Sequence, residues 1–438
     1  MTRITRRRFL QASALAGATL GAPMLAHDSH AQELSFKPEP GAKLRVLRWK
    51  RFVQGDEDQW MANTRAFTAK TGVEVTVDNE NWEDLRPKAA VAANVGSGPD
   101  IILSTNDDPH QYPDKLVEIG DLCEYLGKKY GPWYPSALAY GKSGGRWIAL
   151  PLGSGGNCMN YRESHMNAVG VKEFPMDTDG FLKLYKGLKK NGTPPGFALG
   201  NATGDANGWC HWLIWAFGGK MVDEQNRLAI NSRETAAALE YARELYPTFI
   251  PGTLSWLDPN NNKAFLSGEI SLTSNGISIY YVAKTSKDPK LQEIAKDMNH
   301  AVFPVGPVGH PTMSALFFTC VIFKYTKHPN AAKEYLRFMM EKEQYEPWQQ
   351  ASIGYVTHPL KAYESNPIWT VDPKHTPYRD CMKIMLPNGY GGRLGYASAQ
   401  CMADFIVVNM VAEAASGSKT PKEAAERAQK RAERYYKV

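Results

Sequence analysis

Asn106-Asp107-Asp108 is the stretch whose residue types could do the most chemistry. Carboxylates accept hydrogen bonds, and a carboxamide both donates and accepts, so the trio suits a ligand rich in hydroxyls. It follows Gly96-Ser97-Gly98-Pro99, which ends any preceding helix, and Ile101-Ile102-Leu103, an apolar run that predicts a strand buried on both faces. In an open α/β sheet, ligands bind beyond the carboxyl ends of strands, which is where these three residues stand. The alternative is that Asp107 and Asp108 only cap the next element. Trp49 and Arg51 close an earlier run, Leu44–Leu47, and so occupy an equivalent place. Trp209, beside Asn207 and Gly208, and Trp256, between Ser255 and Asp258, are further candidates for stacking on a sugar face. For each of these tryptophans the competing role is core packing. Arg51 and Arg393 offer charge-assisted bonds to hydroxyls or to an acid group, and otherwise serve as solvated surface charges.

Other constellations fail on spacing. Gly141-Lys142-Ser143 would need a glycine at 136 to be a phosphate loop, and Ser136 stands there. Asp258, Asn260, Asn262 and Glu269 match four calcium-loop positions, but Lys263 occupies the required glycine and the segment reads as a helix start. The six cysteines contain no Cys-x-x-Cys, so no cofactor or metal is expected. Cys381 and Cys401 are left open as a pair that could form after export.

The elements that position these residues follow from periodicity. A strand at 44–47, a helix carrying Trp60, Thr64, Phe67 and Thr71 and stopped by Gly72, alternating Val73, Val75 and Val77, a helix over 83–95, and the strand at 101–103 make a βαβαβ start. Its parallel sheet needs helices on both faces. Gly153-Ser154-Gly155-Gly156 follows a strand and reads as a hinge. Further helices are predicted over 179–190, 208–215, 231–246, 263–268, 329–340, 398–415 and 421–436. Strands are predicted at 269–273, 301–303 and 316–323. The 438 residues suffice for two domains or one bilobal one.

Residues 1–31 read as an export signal. Thr5-Arg6-Arg7-Arg8-Phe9-Leu10 carries a twin-arginine pattern, an apolar run follows, and Ser29-His30-Ala31 offers a cleavage site. This leader holds four arginines and one acid, so half of the formal net charge of +6 belongs to it. The remainder is too small, and too unpatterned, for nucleic-acid binding. A periplasmic location follows. A twin-arginine passenger folds before export, so the fold should not depend on disulfides.

The order of motifs resembles the extracellular solute-binding proteins of ATP-binding-cassette (ABC) importers, the family that includes maltose-binding proteins. The matching segments are Phe67-x-x-x-Thr71-Gly72-Val73, Gly98-Pro99-Asp100-Ile101, Leu116-Val117-Glu118-Ile119, Leu150-Pro151 with Met159-Asn160-Tyr161, Ala264-Phe265-x-x-Gly268-Glu269, Asn275-Gly276, Pro304-x-Gly306, Ala332-x-x-Tyr335-Leu336, and Gly417-x-x-Thr420-Pro421. The resemblance implies an α/β periplasmic-binding-protein fold: two lobes, a hinge and an interlobe cleft. Lobe one would hold 42–150 plus 304–358, and lobe two 152–302 plus 359–438, with the hinge near 150–153 and 302–304. Trp49 to Arg51 and Asn106 to Asp107 match ligand loops of the first lobe. Asn275 and Gly276 match one of the second, and 388–393 matches a C-terminal loop that often carries an aromatic, here Tyr390. Ser104 and Ser278 stand where maltose-binding proteins place aromatics, which argues for a smaller sugar, polyol or sugar derivative. The partners implied are that ligand and membrane permease subunits, with the receptor a monomer and not an enzyme. The competing readings are a polyamine or metal receptor of the same fold, or an exported glycosidase. A glycosidase needs two carboxyls facing each other about 5–10 Å apart, which adjacent Asp107 and Asp108 do not simply provide.

Overall fold

A computed structural model describes residues 34–314 and 316–437. The export-signal residues, 1–31, lie outside the described residues.

The predicted βαβαβ start is present. Lys43–Trp49 (β1) pairs in parallel with Glu74–Glu80 (β2) on one side and Ile101–Thr105 (β3) on the other. The connecting helices are Gln54–Thr71 and Leu85–Val95, and each ends at a left-handed glycine, Gly72 and Gly96. All five residues of β3 are buried, as its unbroken apolar run requires. Leu150–Ser154 (β4) and a late strand complete this sheet. Cys158–Arg162 (β5) is the centre of a second sheet, flanked antiparallel by Leu272–Asn275 (β6) and Met298–Ala301 (β7). Phe317–Ile322 (β8) then returns to the first sheet, antiparallel to both β3 and β4. The orders are β2-β1-β3-β8-β4 and β6-β5-β7. The chain therefore crosses between sheets at Gly155–Asn157 and again between 302 and 316.

Glycine is demanded at the first crossing. Gly153 has φ +132°, and a Cβ there would meet the Thr357 carbonyl oxygen at 1.7 Å. A Cβ on Gly276 would come within 2.9 Å of the Gly155 carbonyl oxygen. The two sheets meet through backbone packed too closely for side chains.

Several elements differ from expectation. The helix expected from Lys263 starts at Asp258 and ends at Ser267, so three of the four calcium-loop positions, Asp258, Asn260 and Asn262, lie on a helix. The helix predicted over 231–246 runs from Arg233 to Leu245, and the side chain of its cap, Ser232, accepts from the Thr235 amide. The helix expected over 398–415 is two, Tyr396–Ala403 and Ile406–Ala415, because Phe405 adopts a left-handed φ of 52°. Pro329–Met340 has the predicted bounds, and Thr420 and Glu423 form a capping box at the start of Pro421–Ala432. All six cysteines are buried and free, Cys381 and Cys401 included. No described helix is long and apolar enough to cross a membrane.

Candidate binding cleft

The cleft lies where the sheets face each other and encloses about 50 Å³. One wall is aromatic and belongs to the first sheet. Phe52 follows β1, Trp82 follows β2, Phe318 is on β8, and Tyr355 comes from the segment after helix Lys342–Ala351. The Trp82 ring meets Phe318 edge-on at 5.7 Å and Phe52 at 6.1 Å, and Phe318 meets Tyr355 at 6.1 Å. These contacts fix the rings before any ligand arrives.

The facing wall is polar and belongs to the second sheet. It comprises Asn157, Asp205, Asp258, Asn275 and Ser278, with the backbone of Gly155, Gly156, Gly204 and Gly276. Asp258 opens the helix Asp258–Ser267 and accepts from the amides of Gly204 (3.0 Å) and Asp205 (2.8 Å). Those amides begin the helix Asp205–Ala216, whose positive end favours a carboxylate. Asn261 Nδ2 donates to Asp205 at 2.8 Å. Burial pushes Asp258 up to about 6 against those two amide donors. Burial first, and the Asp258 charge second, push Asp205 well above the usual carboxylate range. Asn157 is buried, and neither its Oδ1 nor its Nδ2 has a partner among the described residues. Two carboxylates and an uncommitted carboxamide, opposite fixed aromatic rings, can hold a polyhydroxylated molecule by its edges and its apolar face.

A neighbouring compartment of about 170 Å³ shares Trp82 and is lined by Glu83, Arg86, Ser104, Asp108, Asn201 and Phe405, among others. Trp82 thus borders both compartments. Among the described residues, no group of three or more His, Cys, Asp or Glu side chains is placed to hold a metal ion.

The candidates from sequence are scattered over this frame. Asn275 and Gly276 line the cleft. Trp49 lies one layer behind, fully buried, its ring 4.7 Å from Phe318 and 5.5 Å from Trp82, its indole donating to Asp56. Arg51 is exposed beside Glu57. Asn106 is spent on structure: with φ 47°, it exchanges two hydrogen bonds with Phe317, extending the β3–β8 pairing. Asp107 is fully buried and accepts from Asn388 Nδ2 and Ser398 Oγ, both at 2.7 Å. It ties the C-terminal segment to the end of β3. Burial pushes it up to about 6. Trp209 is in the core, donating to the Ala198 carbonyl. Trp256 is half-buried over Gly196. Tyr390 packs edge-on against Trp215 at 5.4 Å, and Arg393 is exposed, its amide bonded to Asn226. Trp82, Asn157, Asp205 and Asp258 were not singled out as ligand contacts. The signal for Trp82 was its place two residues beyond β2, and for Asn157 its place in the glycine-rich crossing.

Residues 62–377 match the family model described as bacterial extracellular solute-binding protein. The diacetylchitobiose binding protein DasA of Streptomyces coelicolor is 22% identical over 321 residues, which cover 70% of this chain and 72% of that protein. Maltose-bound MalE3 of T. maritima superposes with a TM-score of 0.77 at 17% identity, covering 90% of this chain and 99% of that one. The GacH receptor of Streptomyces glaucescens GLA.O gives 0.76 at 16% identity, covering 91% and 99%. A ribitol-bound solute-binding protein from Agrobacterium radiobacter K84 gives 0.71 at 17% identity, covering 91% and 100%. These likenesses establish the fold: two α/β lobes around a cleft.

Proposed function

The chain belongs to the bacterial extracellular solute-binding proteins, and we propose that it is the substrate-binding component of a carbohydrate ABC importer. Its ligand is a small sugar, polyol or sugar derivative held between the two walls of the cleft. The observation that carries this reading is the opposition of fixed rings, Trp82 and Phe318, to a wall of carboxylates and carboxamides across the cleft. The relatives' own ligands, diacetylchitobiose and maltose among them, support the same class.

The protein works in the periplasm as a monomer, exported by the twin-arginine leader, and delivers its ligand to membrane permease subunits. Closure pivots near 150–153 and 302–304. Ligand favours closure only by as much as it prefers the closed form, and contacts on both walls supply that preference. No turnover is expected. Asp205 and Asp258 stand on the same wall, whereas a glycosidase sets its carboxyls across the scissile bond.

A thermal-shift screen against sugars, polyols, sugar acids, polyamines and divalent metals tests the proposal. Ligand at about 100 times its dissociation constant adds about 2.7 kcal/mol and raises the melting midpoint. Hits confined to hydroxylated ligands support a carbohydrate receptor. Hits confined to metals or to amines without hydroxyls refute it, and product formation from a glycoside would make the chain an enzyme.

A further inference from the structure

The polar wall of the cleft holds two buried carboxyl groups that have donors but, among the described residues, no cation beside them. Asp205 and Asp258 are each 7% exposed, and neither makes an ion pair with any described basic side chain. Among the described residues, no Lys, Arg or His lines the cleft. Arg86, in the neighbouring compartment, is committed to Asp108 at 2.7 Å. Arg48, behind the aromatic wall, is committed to Asp56 at 2.6 Å. Glu83 adds a third carboxylate beside Trp82, and its charge reaches Asp258. Arg51 and Arg393, the two cations expected to meet the ligand, lie outside this lining.

Burying carboxylates without a cation is costly, and the cost is relieved when a partner charge arrives. A neutral hydroxyl can donate to a carboxylate, but it leaves the charge in place. An acid group would add to it. A cation would meet Asp205 and Asp258 on one side and the ring of Trp82 on the other, and aromatic faces attract cations. Asn157, buried and without partners on both polar atoms, remains free to donate to one hydroxyl and accept from another.

We infer that the ligand is a polyhydroxylated molecule carrying a protonated amine, an amino sugar or amino polyol, with its ammonium between Asp205, Asp258 and Trp82 and its hydroxyls on Asn157. This rests on the carbohydrate reading above and narrows it.

Isothermal titration with matched pairs tests it: D-glucose with D-glucosamine, D-galactose with D-galactosamine, and sorbitol with 1-amino-1-deoxysorbitol, alongside D-glucuronate and putrescine. The expected result is that the tightest ligand is an amino member, bound about tenfold or more tighter than its hydroxyl partner, since a charged hydrogen bond outweighs a neutral one by that much. Glucuronate should not bind. Asp258→Asn should shrink the amino-to-hydroxyl ratio, and Asp205→Asn gives the same readout should the first variant not fold. A hydroxyl member that equals or beats its amino partner overturns the inference and leaves the carbohydrate receptor standing, as does tight binding of glucuronate. Putrescine as the sole ligand overturns the carbohydrate reading itself, and silence across the set overturns the inference as stated.

Discussion

Replacing Asp107 with asparagine isolates what one buried carboxylate costs this fold. Both donors, Asn388 Nδ2 and Ser398 Oγ, reach the same oxygen, Oδ2, while Oδ1 has no partner among the described residues. An asparagine carbonyl in the place of Oδ2 keeps both bonds. Its amide then falls where the hydroxyl of a protonated Asp107 would lie, so the variant mimics the protonated acid. Burial, with the Asp108 charge adding a lesser push, raises Asp107 from its ordinary 3.8 to about 6. A carboxyl with a raised folded-state pKa contributes stability below its unfolded pKa and loses it as pH rises through the folded value. A rise of about two units corresponds to about 3 kcal/mol lost between pH 4 and pH 7. Asp107→Asn has no such loss. Wild type and variant should therefore melt alike near pH 4, and the variant should gain about 3 kcal/mol on the wild type by pH 7.5. At about 2.1 cal/mol/K of unfolding entropy per residue over about 400 residues, that is a midpoint difference of about 3–4 °C. Calorimetry of the ligand-free proteins at pH 4, 5, 6 and 7.5 measures it. A difference that stays constant with pH, or a variant that loses ground as pH rises, refutes the reasoning.

Trp49→Ala should lower the ligand-free stability by about 3–5 kcal/mol, seen as a lower urea midpoint, because it empties a packed site and strips Asp56 of a donor. Unchanged stability would place Trp49 outside the core. Trp82→Ala should weaken ligand binding by about tenfold or more in titration calorimetry, from the lost ring face. Arg51→Ala and Arg393→Ala should leave the ligand-induced thermal shift unchanged, both side chains being exposed outside the cleft lining. Tyr281→Phe removes the hydroxyl that receives the Gly55 amide at 2.8 Å, a contact from the helix after β6 to the helix after β1. Losing about 1 kcal/mol from the closed form should weaken affinity by about fivefold, mainly through faster ligand release in stopped flow. An unchanged release rate would remove that contact from closure.

Elements with strong periodicity or strong punctuation were legible. Val73, Val75 and Val77 alternate, Gly72 and Gly96 stop their helices in the left-handed region, and Thr420-Pro421-x-Glu423 caps the last helix. The failures come where a single backbone angle decides. Phe405 breaks one predicted helix into two by taking a positive φ that no residue pattern marks. Asp258 starts its helix five residues early because its carboxylate is held by the amides of Gly204 and Asp205, more than fifty residues away in sequence. Long-range partners of that kind have no local signature.

The site failed for a related reason, and two tryptophans show it. Trp49 and Trp82 both stand at carboxyl ends of strands, and residue type does not separate them. Strand order does. β1 pairs with β2 along its whole length, so its last residue, Trp49, still lies opposite Glu80, while its pairing with β3 ends at Leu47. The Trp49 ring is fully buried and faces inward to Phe318. β2 is the edge strand, and Trp82 lies two residues past its end, beyond any pairing. No strand pairs with it there, and its ring covers the cleft between Phe52 and Phe318, packed from behind by Trp49. Asn106 repeats the lesson from the other direction. It sits past the end of β3, but β8 runs alongside and captures both its amide and its side chain through Phe317. A strand-end position alone does not bring a residue to the cleft: neighbouring strands claim Trp49 and Asn106, and the strand that claims Asn106 lies more than two hundred residues further along the chain.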